Sequence, residues 1–468
     1  MKKMMGILLI LVLVLPVVSF AQSQAASGSS DSLEYKWGGA LRLRNEYWKN
    51  WKDMNNDVLD NRNFFRVKTS LWGQVDYTKD YTGFIKLTNE FKPYTYLGGS
   101  VSTLPDKNPN KKGYQFMIDE VLVDNLYFDV RNFLTLPVDL RIGRQDFLGT
   151  YGEGFLIMDG TPQDGSRTFF FDAAKATWRI DPNNTLDLIL INDPRDDDVL
   201  PVINRDEYKL IYATSPKYYL LNTTREKASV LYWKNKAVKG LNLEGYYIYK
   251  TEDDKGGAGL QAEETRLNTV GSFAKYTMAS CILRGQLAYQ FGEYGDEDRE
   301  GLGGYAWIDH DFKDTQWSPQ LSVGYVYLSG DDSSTSKMEG WDPLFSRFPL
   351  WSELYLLSYA SETRIVGYWT NLSMPGVSLK FKPTDKMKLT FAYYYLMANE
   401  NPPTFASTKV FSFDSKQRGQ LPQARIDYKF DKKGNITGYF LAEYFKPGKF
   451  YVNKDPAVFL RTELQIKF

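Results

Sequence analysis

The 468-residue chain is nearly empty of the side chains that metal and nucleophile chemistry use, with one Cys and one His. A single Cys excludes an intramolecular disulfide framework and any multi-Cys zinc site. A single His removes His-rich metal centres and most His-dependent catalytic clusters. Net charge is missing too, since 57 Lys and Arg balance 57 Asp and Glu. A nucleic-acid partner would need a basic excess or patch, so none is expected. Beyond residue 21 no apolar run is long enough for a membrane-spanning helix. The surplus is aromatic: Phe, Trp and Tyr make up 16% of the chain.

Lys2 and Lys3 precede an apolar run from Ile7 to Val18, and Ser19-Phe20-Ala21 places small residues before a cut. That is the layout of a secretory signal peptide (residues 1–21) cleaved after Ala21, and the run is short for a spanning helix. Cys281 is too distant to serve as a lipoprotein anchor. Residues 22–33, rich in Ser, Ala and Gln, read as a disordered lead-in.

From residue 34 the chain repeats with period two. Leu41-Arg42-Leu43-Arg44, Phe65-Arg66-Val67-Lys68, Ile85-Lys86-Leu87, Leu283-Arg284-Gly285-Gln286-Leu287 and Val377-Ser378-Leu379-Lys380-Phe381 each alternate apolar with polar residues. Successive strand side chains point to opposite faces, so each segment has one apolar and one polar face. Arg and Lys lie deep in the polar faces while aromatics gather at segment ends, as the girdles of a membrane barrel require. About eighteen such segments can be marked, from Glu34–Trp48 to Pro456–Phe468, among them Pro137–Asp146, Arg167–Ile180, Gly303–Asp311 and Leu421–Phe430. Tight turns (Lys79-Asp80, Asp181–Asn184, Pro383–Asp385, Asp431–Gly434) alternate with long polar loops (Pro93–Phe116, Asp193–Thr224, Gly330–Thr370, Glu400–Gln420). The expected fold is all-β, a transmembrane antiparallel β-barrel over residues 34–468 with short periplasmic turns and long extracellular loops. The last strand puts Val458, Leu460, Thr462, Leu464, Ile466 and Phe468 on one face. Its terminal aromatic resembles the signal by which outer-membrane barrels are recognised for assembly.

Arg141-Ile142-Gly143-Arg144-Gln145 followed by Tyr151-Gly152-Glu153-Gly154 resembles the Arg-x-Gly-Arg-Gln…Tyr-Gly element of the alginate-export family of outer-membrane barrels. Phe171-Asp172-Ala173-Ala174-Lys175 is similar to that family's Phe-Asp-Gly-x-Arg strand start. Tyr444 to Phe450 followed by Phe459 to Leu464 looks like its last hairpin. The resemblance spans essentially the mature chain and implies an eighteen-stranded barrel that passes a polyuronate through a basic pore. One departure stands out: the exporter type carries a long periplasmic plugging loop before the last hairpin, where this chain has only Asp431–Gly434.

For eighteen strands about 4.8 Å apart and tilted by about 40°, the backbone cylinder is roughly 36 Å across. With the apolar residues facing lipid, Arg42, Arg44, Arg66, Lys68, Lys86, Arg141, Lys175, Arg284, Lys380, Arg425 and Arg461 face the lumen. Glu46, Glu90, Asp427 and Glu463 share those faces. Guanidinium groups grip carboxylates in bidentate fashion, so the excess of cations favours anionic solutes. The competing reading is that lumen charges simply pair with one another. Arg144 falls on the nominal outer face with Ile142 and is included as a lining residue displaced by a bulge or set at headgroup level. Face assignment fails around Glu120, Asp124 and Asp187, where apolar residues occupy both parities.

Four acidic clusters, Asp196-Asp197-Asp198, Glu252-Asp253-Asp254, Asp296-Glu297-Asp298 and Asp331-Asp332, read as solvated loop segments without calcium-loop spacing. Pro349–Ala360 has near-helical apolar spacing and serves either as a lid on the mouth or as a constriction folded into the lumen. His310 lies between Asp309 and Asp311, yet no Gly-x-Ser-x-Gly element accompanies it, and Cys281 reads as a small packed residue. An enzyme is not expected, and neither is a cofactor or metal. The leading expectation is export of an acidic, alginate-like polysaccharide through the outer membrane. A porin for small anions or oligosaccharides is the alternative, and a barrel enzyme a remote one. Outer-membrane lipid, the anionic saccharide and periplasmic export machinery are the expected partners.

Overall fold

The computed structural model describes residues 33–58, 60–97, 115–116, 120–158, 170–195, 199–200, 203–204, 224–255 and 257–468. The expected signal peptide (residues 1–21) and residues 22–32 of the expected lead-in lie outside them, as does Asp196-Asp197-Asp198. Leu33, the end of that lead-in, already belongs to the first strand.

Eighteen long strands form the wall. They are β1 Leu33–Lys49, β2 Arg62–Tyr77, β3 Tyr81–Leu97, β4 Glu120–Val130, β5 Val138–Gln145 and β6 Phe171–Asp181. Next come β7 Asn184–Asp193, β8 Glu226–Asn235, β9 Leu241–Glu252, β10 Thr265–Met278, β11 Cys281–Tyr294 and β12 Glu297–Asp311. The last are β13 Gln320–Leu328, β14 Leu372–Thr384, β15 Met387–Met397, β16 Gln417–Lys429, β17 Ile436–Pro447 and β18 Ala457–Lys467. Each pairs antiparallel with the next, and β18 returns to β1 with Glu463 opposite Arg44, so the sheet closes and leaves no edge. No described helix is long and apolar enough to cross a membrane; the strands do the crossing.

Closure turns one face of the alternation outward. Leu43, Ile85, Ile142, Leu188, Leu287, Val323 and Ile426 are exposed on the outer surface. At the short-turn end the rings of Tyr77, Tyr81 and Phe128 stack in near-parallel succession around the wall, the aromatic belt of an interface. Cys281 and His310, register partners at this end, lie 3.1 Å apart from Sγ to Nδ1. The segment Asp296-Glu297-Asp298 is not part of a long loop. A tight turn at Gly295-Asp296 joins β11 directly to β12, which therefore begins at Glu297, ahead of Gly303.

The inner face is where period-two reading breaks down. Ile189 and Ile191 on β7, Val230 on β8, Ile248 on β9, Leu267 on β10, Leu328 on β13 and Met374 on β14 all point inward and are buried. They pack against Phe155, Leu156, Trp341, Leu344, Phe345, Leu354 and Tyr355 from the connections β5–β6 and β13–β14. Both connections fold into the barrel and fill its loop-end half with a hydrophobic core. β7 is apolar on both faces over Leu188–Ile191 because one face meets lipid and the other this plug. Around Asp124 the cause is different: Lys86 pairs with Asn125 and Leu87 with Val123, so Asp124 is bulged out of the ladder.

Pro349–Ala360 is thus a constriction, carrying helix α1 (Glu353–Thr363). Ser352 caps it, accepting from the Tyr355 amide at 2.9 Å, and Arg364 ends it in the left-handed conformation. Buried ion pairs tie the plug to the wall. Arg418 of β16 holds Glu362 through two bonds of 2.6 and 2.8 Å, and Arg347 reaches Glu226 and Glu252 at 2.7 Å each. Glu252 is therefore buried and paired, not part of a solvated cluster. The two connections also bind each other, since Phe155 stacks on Trp341 and the Phe345 amide donates to the Leu156 carbonyl at 3.0 Å.

Candidate functional site

Between the plug and the wall lies a cavity of about 370 Å³, within the size range of small-molecule sites. Arg284, Lys380 and Arg425 give it cations, Glu153, Glu353 and Glu443 carboxylates, and Trp307, Trp351 and Tyr394 aromatic faces. The wall supplies the rings through small neighbours. A Cβ on inward-facing Gly324 would strike the Trp307 ring, and one on Gly376 would lie 2.5 Å from Tyr394. The glycines let both rings lie along the wall, where they meet edge to face at 6.4 Å.

The plug supplies the carboxylates. In Tyr151-Gly152-Glu153-Gly154 the Tyr151 hydroxyl donates to Asp187 at 2.8 Å and the Gly152 amide to Glu244 at 3.0 Å. Gly152, Glu153 and Gly154 all have positive φ, an excursion that two glycines make without cost and Glu153 does not. The turn aims Glu153 at Arg284 (2.7 Å), Tyr305 (3.3 Å) and Lys275 (3.5 Å). On α1, Glu353 makes a bidentate pair with Arg461, which also holds Glu46 at 2.8 Å. The Glu353 and Leu354 amides each donate to Glu443 at 3.0 Å, and the Ser352 hydroxyl donates to it as well. Buried Glu443 is thereby satisfied by the positive end of a helix rather than by a cation.

The expected lining residues separate into three groups. Arg42, Arg44, Arg66, Lys68 and Lys86 stand on the inner faces of β1–β3, where Arg42 is the register partner of Lys68 and Arg44 of Arg66. Their carboxylates are Glu90 (2.7 Å from Arg42), Glu463 (2.6 Å from Arg44), Glu46 (3.7 Å from Arg66) and Asp124 (2.7 Å from Lys86). Arg141 and Lys175 are also register partners; Arg141 holds Asp129 at 2.7 Å, whereas Lys175 forms no ion pair among the described residues. Arg284, Lys380 and Arg425 line the cavity. Arg425 binds Asp427 at 2.7 Å and Arg284 binds Asp309 at 3.0 Å, while Lys380 donates to Gln320 at 3.0 Å and forms no ion pair among the described residues.

Two expected residues sit deeper. Arg461 is 3% exposed beneath Glu353. Arg144 follows Gly143, whose φ of 124° breaks the strand geometry, and is 1% exposed. It is bidentate to Asp172 at 2.8 and 3.0 Å and donates to the Val123 carbonyl at 3.1 Å, a staple across β4, β5 and β6 rather than an open lumen group.

Glu153, Glu353, Trp307 and Tyr394 escape a reading by strand parity. Two of them come from connections, and the rings look like ordinary strand aromatics. The flanking glycines of Glu153 and the Ser352-Glu353 helix start were the signals available.

Several solved Pseudomonas aeruginosa proteins are similar in fold. OccK11 (OpdR) is 11% identical with a TM-score of 0.52, over 93% of this chain and 96% of that one. OccK2 (OpdF) in complex with glucuronate is 9% identical with a TM-score of 0.54, over 93% and 98%. OpdK with vanillate is 11% identical with a TM-score of 0.54, over 92% and 98%. No curated protein sequence matches the chain. Residues 101–462 match the family described as alginate export. Closed barrel, lumenal charges and family match converge: the chain belongs to the alginate-export family and is an outer-membrane channel.

Proposed function

We propose that this channel conducts acidic saccharides, passing uronate carboxylates along its cationic wall, and that the form described admits monomers or short oligomers. The observation that carries the reading is the placement of like charges directly across the ladder: Arg42 against Lys68, Arg44 against Arg66 and Arg141 against Lys175. Such pairs destabilise a sheet in themselves, and Glu90, Glu463 and Asp129 offset that repulsion without removing the cations from the lumen face. They make sense as a site for a moving anion. The carboxylates interleaved with them keep any one stop from holding too tightly. Rings beside Arg284, Lys380 and Arg425 suit a cyclic solute carrying a carboxylate, and two proteins of similar fold were solved with carboxylic acids, glucuronate and vanillate. Residues 1–21 serve as the export signal in this reading, and the mass of the mature protein should begin at Gln22.

A second reading, export of a polymer, draws on the family match. It requires α1 and the β5–β6 connection to leave the lumen they fill.

Planar-bilayer recording tests both. Anion preference with block by galacturonate and short oligogalacturonates, and none by neutral maltose oligomers, is the expected result. Cation preference without block would remove the acidic-solute reading. Passage of long polyuronate through the wild-type protein would favour polymer export.

A further inference from the structure

We propose that Glu153 and Glu353 are built-in competitors for the substrate: each holds a substrate-like carboxylate on a wall arginine until an incoming anion displaces it. The inference rests on the acidic-solute reading and deepens it by naming the residues that set affinity and access. Glu153 and Glu353 come from different connections, 200 residues apart (353 − 153), yet border the same cavity.

The pattern at the two sites is the same. Arg284 has a wall carboxylate, Asp309 at 3.0 Å, and then receives Glu153 at 2.7 Å. Arg461 has Glu46 at 2.8 Å and then receives Glu353 in bidentate fashion. In each case the wall gives its arginine one carboxylate, Glu46 being shared with Arg44 and Arg66, and the plug adds a second. A guanidinium has five N–H donors in a planar fork, so it can accept two such partners, and the second is the one a solute can replace.

Exposure points the same way. Glu46 and Asp309 side chains are 0% and 7% exposed, whereas Glu353 and Glu153 are 24% and 31% exposed toward the cavity. The wall partners are walled in and the plug partners are reachable. Glu153 also sits in a left-handed backbone conformation that non-glycine residues rarely adopt. That conformation delivers the carboxylate to Arg284, its nearest partner at 2.7 Å, with Tyr305 and Lys275 farther off at 3.3 and 3.5 Å. Glu353 is the first residue of α1, and its own amide holds Glu443. Displacing its side chain from Arg461 frees the first turn of the helix from one of its two wall attachments.

The chemistry is exchange of ion pairs, with no bond made or broken. A uronate carboxylate takes the Arg284 or Arg461 fork, the glutamate turns into the cavity, and release of the solute restores the resting pair.

The test is recording on wild type, Glu153→Gln and Glu353→Gln, with galacturonate as the blocker. Each amide variant should bind galacturonate about three- to tenfold more tightly, the scale of removing one charge about 4 Å away in a water-filled site, and raise the anion-to-cation permeability ratio. Glu153→Asp and Glu353→Asp keep the charge and should return toward the wild-type values. Block and permeability ratio equal to wild type in both amide variants, with normal heat-modifiable barrels, would overturn the proposal and leave the glutamates as plain structural contacts. The wild-type permeability ratio tests the acidic-solute reading by itself; the variant-to-wild-type ratio tests the competitors. The two glutamates lie on separate connections, so one well-assembled variant is sufficient.

Discussion

Gly324 and Gly376 decide where two rings of the cavity sit, because any side chain there would occupy the space of Trp307 or Tyr394. Gly324→Val should push Trp307 into the lumen and lower single-channel conductance while the barrel still assembles; unchanged conductance would show that the ring does not border the conducting path. Lys380 is a cavity cation without a carboxylate partner among the described residues, so its charge is not spent on the wall. Lys380→Gln should weaken galacturonate block by about tenfold or more, the worth of one charge-assisted hydrogen bond, and an equal block constant would place Lys380 outside the pathway. Arg144 makes the opposite point. Its sequence position in Arg-x-Gly-Arg-Gln marks the family, but its side chain is consumed by Asp172 and the Val123 carbonyl. Replacing it should harm assembly before it alters selectivity, as judged by the folded fraction in heat-modifiable electrophoresis.

Among the elements, α1 is held mainly by its ends. Ser352 and the first amides fasten it to Glu443, and Glu362 fastens the other end to Arg418. Ser352→Ala removes both a cap and a donor to Glu443, a loss of about 0.5–2 kcal/mol from capping alone. Arg418→Ala leaves Glu362 buried and uncompensated, on the order of 3–5 kcal/mol. Both variants should make residues 329–371 protease-sensitive and raise mean conductance, Arg418→Ala more strongly, while the strands stay intact; protection equal to wild type would mean that packing alone retains the helix. This element also shows how far the sequence carried the fold. The strands were legible because lipid on one side imposes alternation, and their limits fell within a few residues wherever that held. On β7 the inner face of Ile189 and Ile191 meets the plug, so alternation vanished and the lumen face could not be read. The direction in which Pro349–Ala360 folds was undecidable for the same reason: a helix with an apolar surface fits a mouth or a lumen equally well. Only the partners Glu443, Arg461 and Arg418, brought from β16–β18, fix it.

For the whole molecule, zero net charge conceals a division of labour between an inner wall with opposed cations and a plug that brings carboxylates to it. Anion preference should therefore fall between 0.1 M and 1 M salt, as the screening length drops from about 10 Å to about 3 Å. Selectivity independent of salt would point to close contacts rather than to the field of the wall. Closure depends on β18 meeting β1, where Phe468 exchanges backbone bonds of 2.9 and 3.0 Å with Gly39. Deleting Phe468 should reduce the folded fraction in outer-membrane preparations, and full assembly of the truncated chain would dismiss a role for the terminal aromatic. The plug has one more consequence, for biogenesis. Where a strand is apolar on both sides, as β7 is over Leu188–Ile191, it has no polar side chain to show water until the barrel closes around its contents. Before closure such stretches are adhesive, able to pair with their like in other copies. Assembly of the barrel should thus be limited by β7 and its neighbours, the same strands whose inner faces later hold the plug in place.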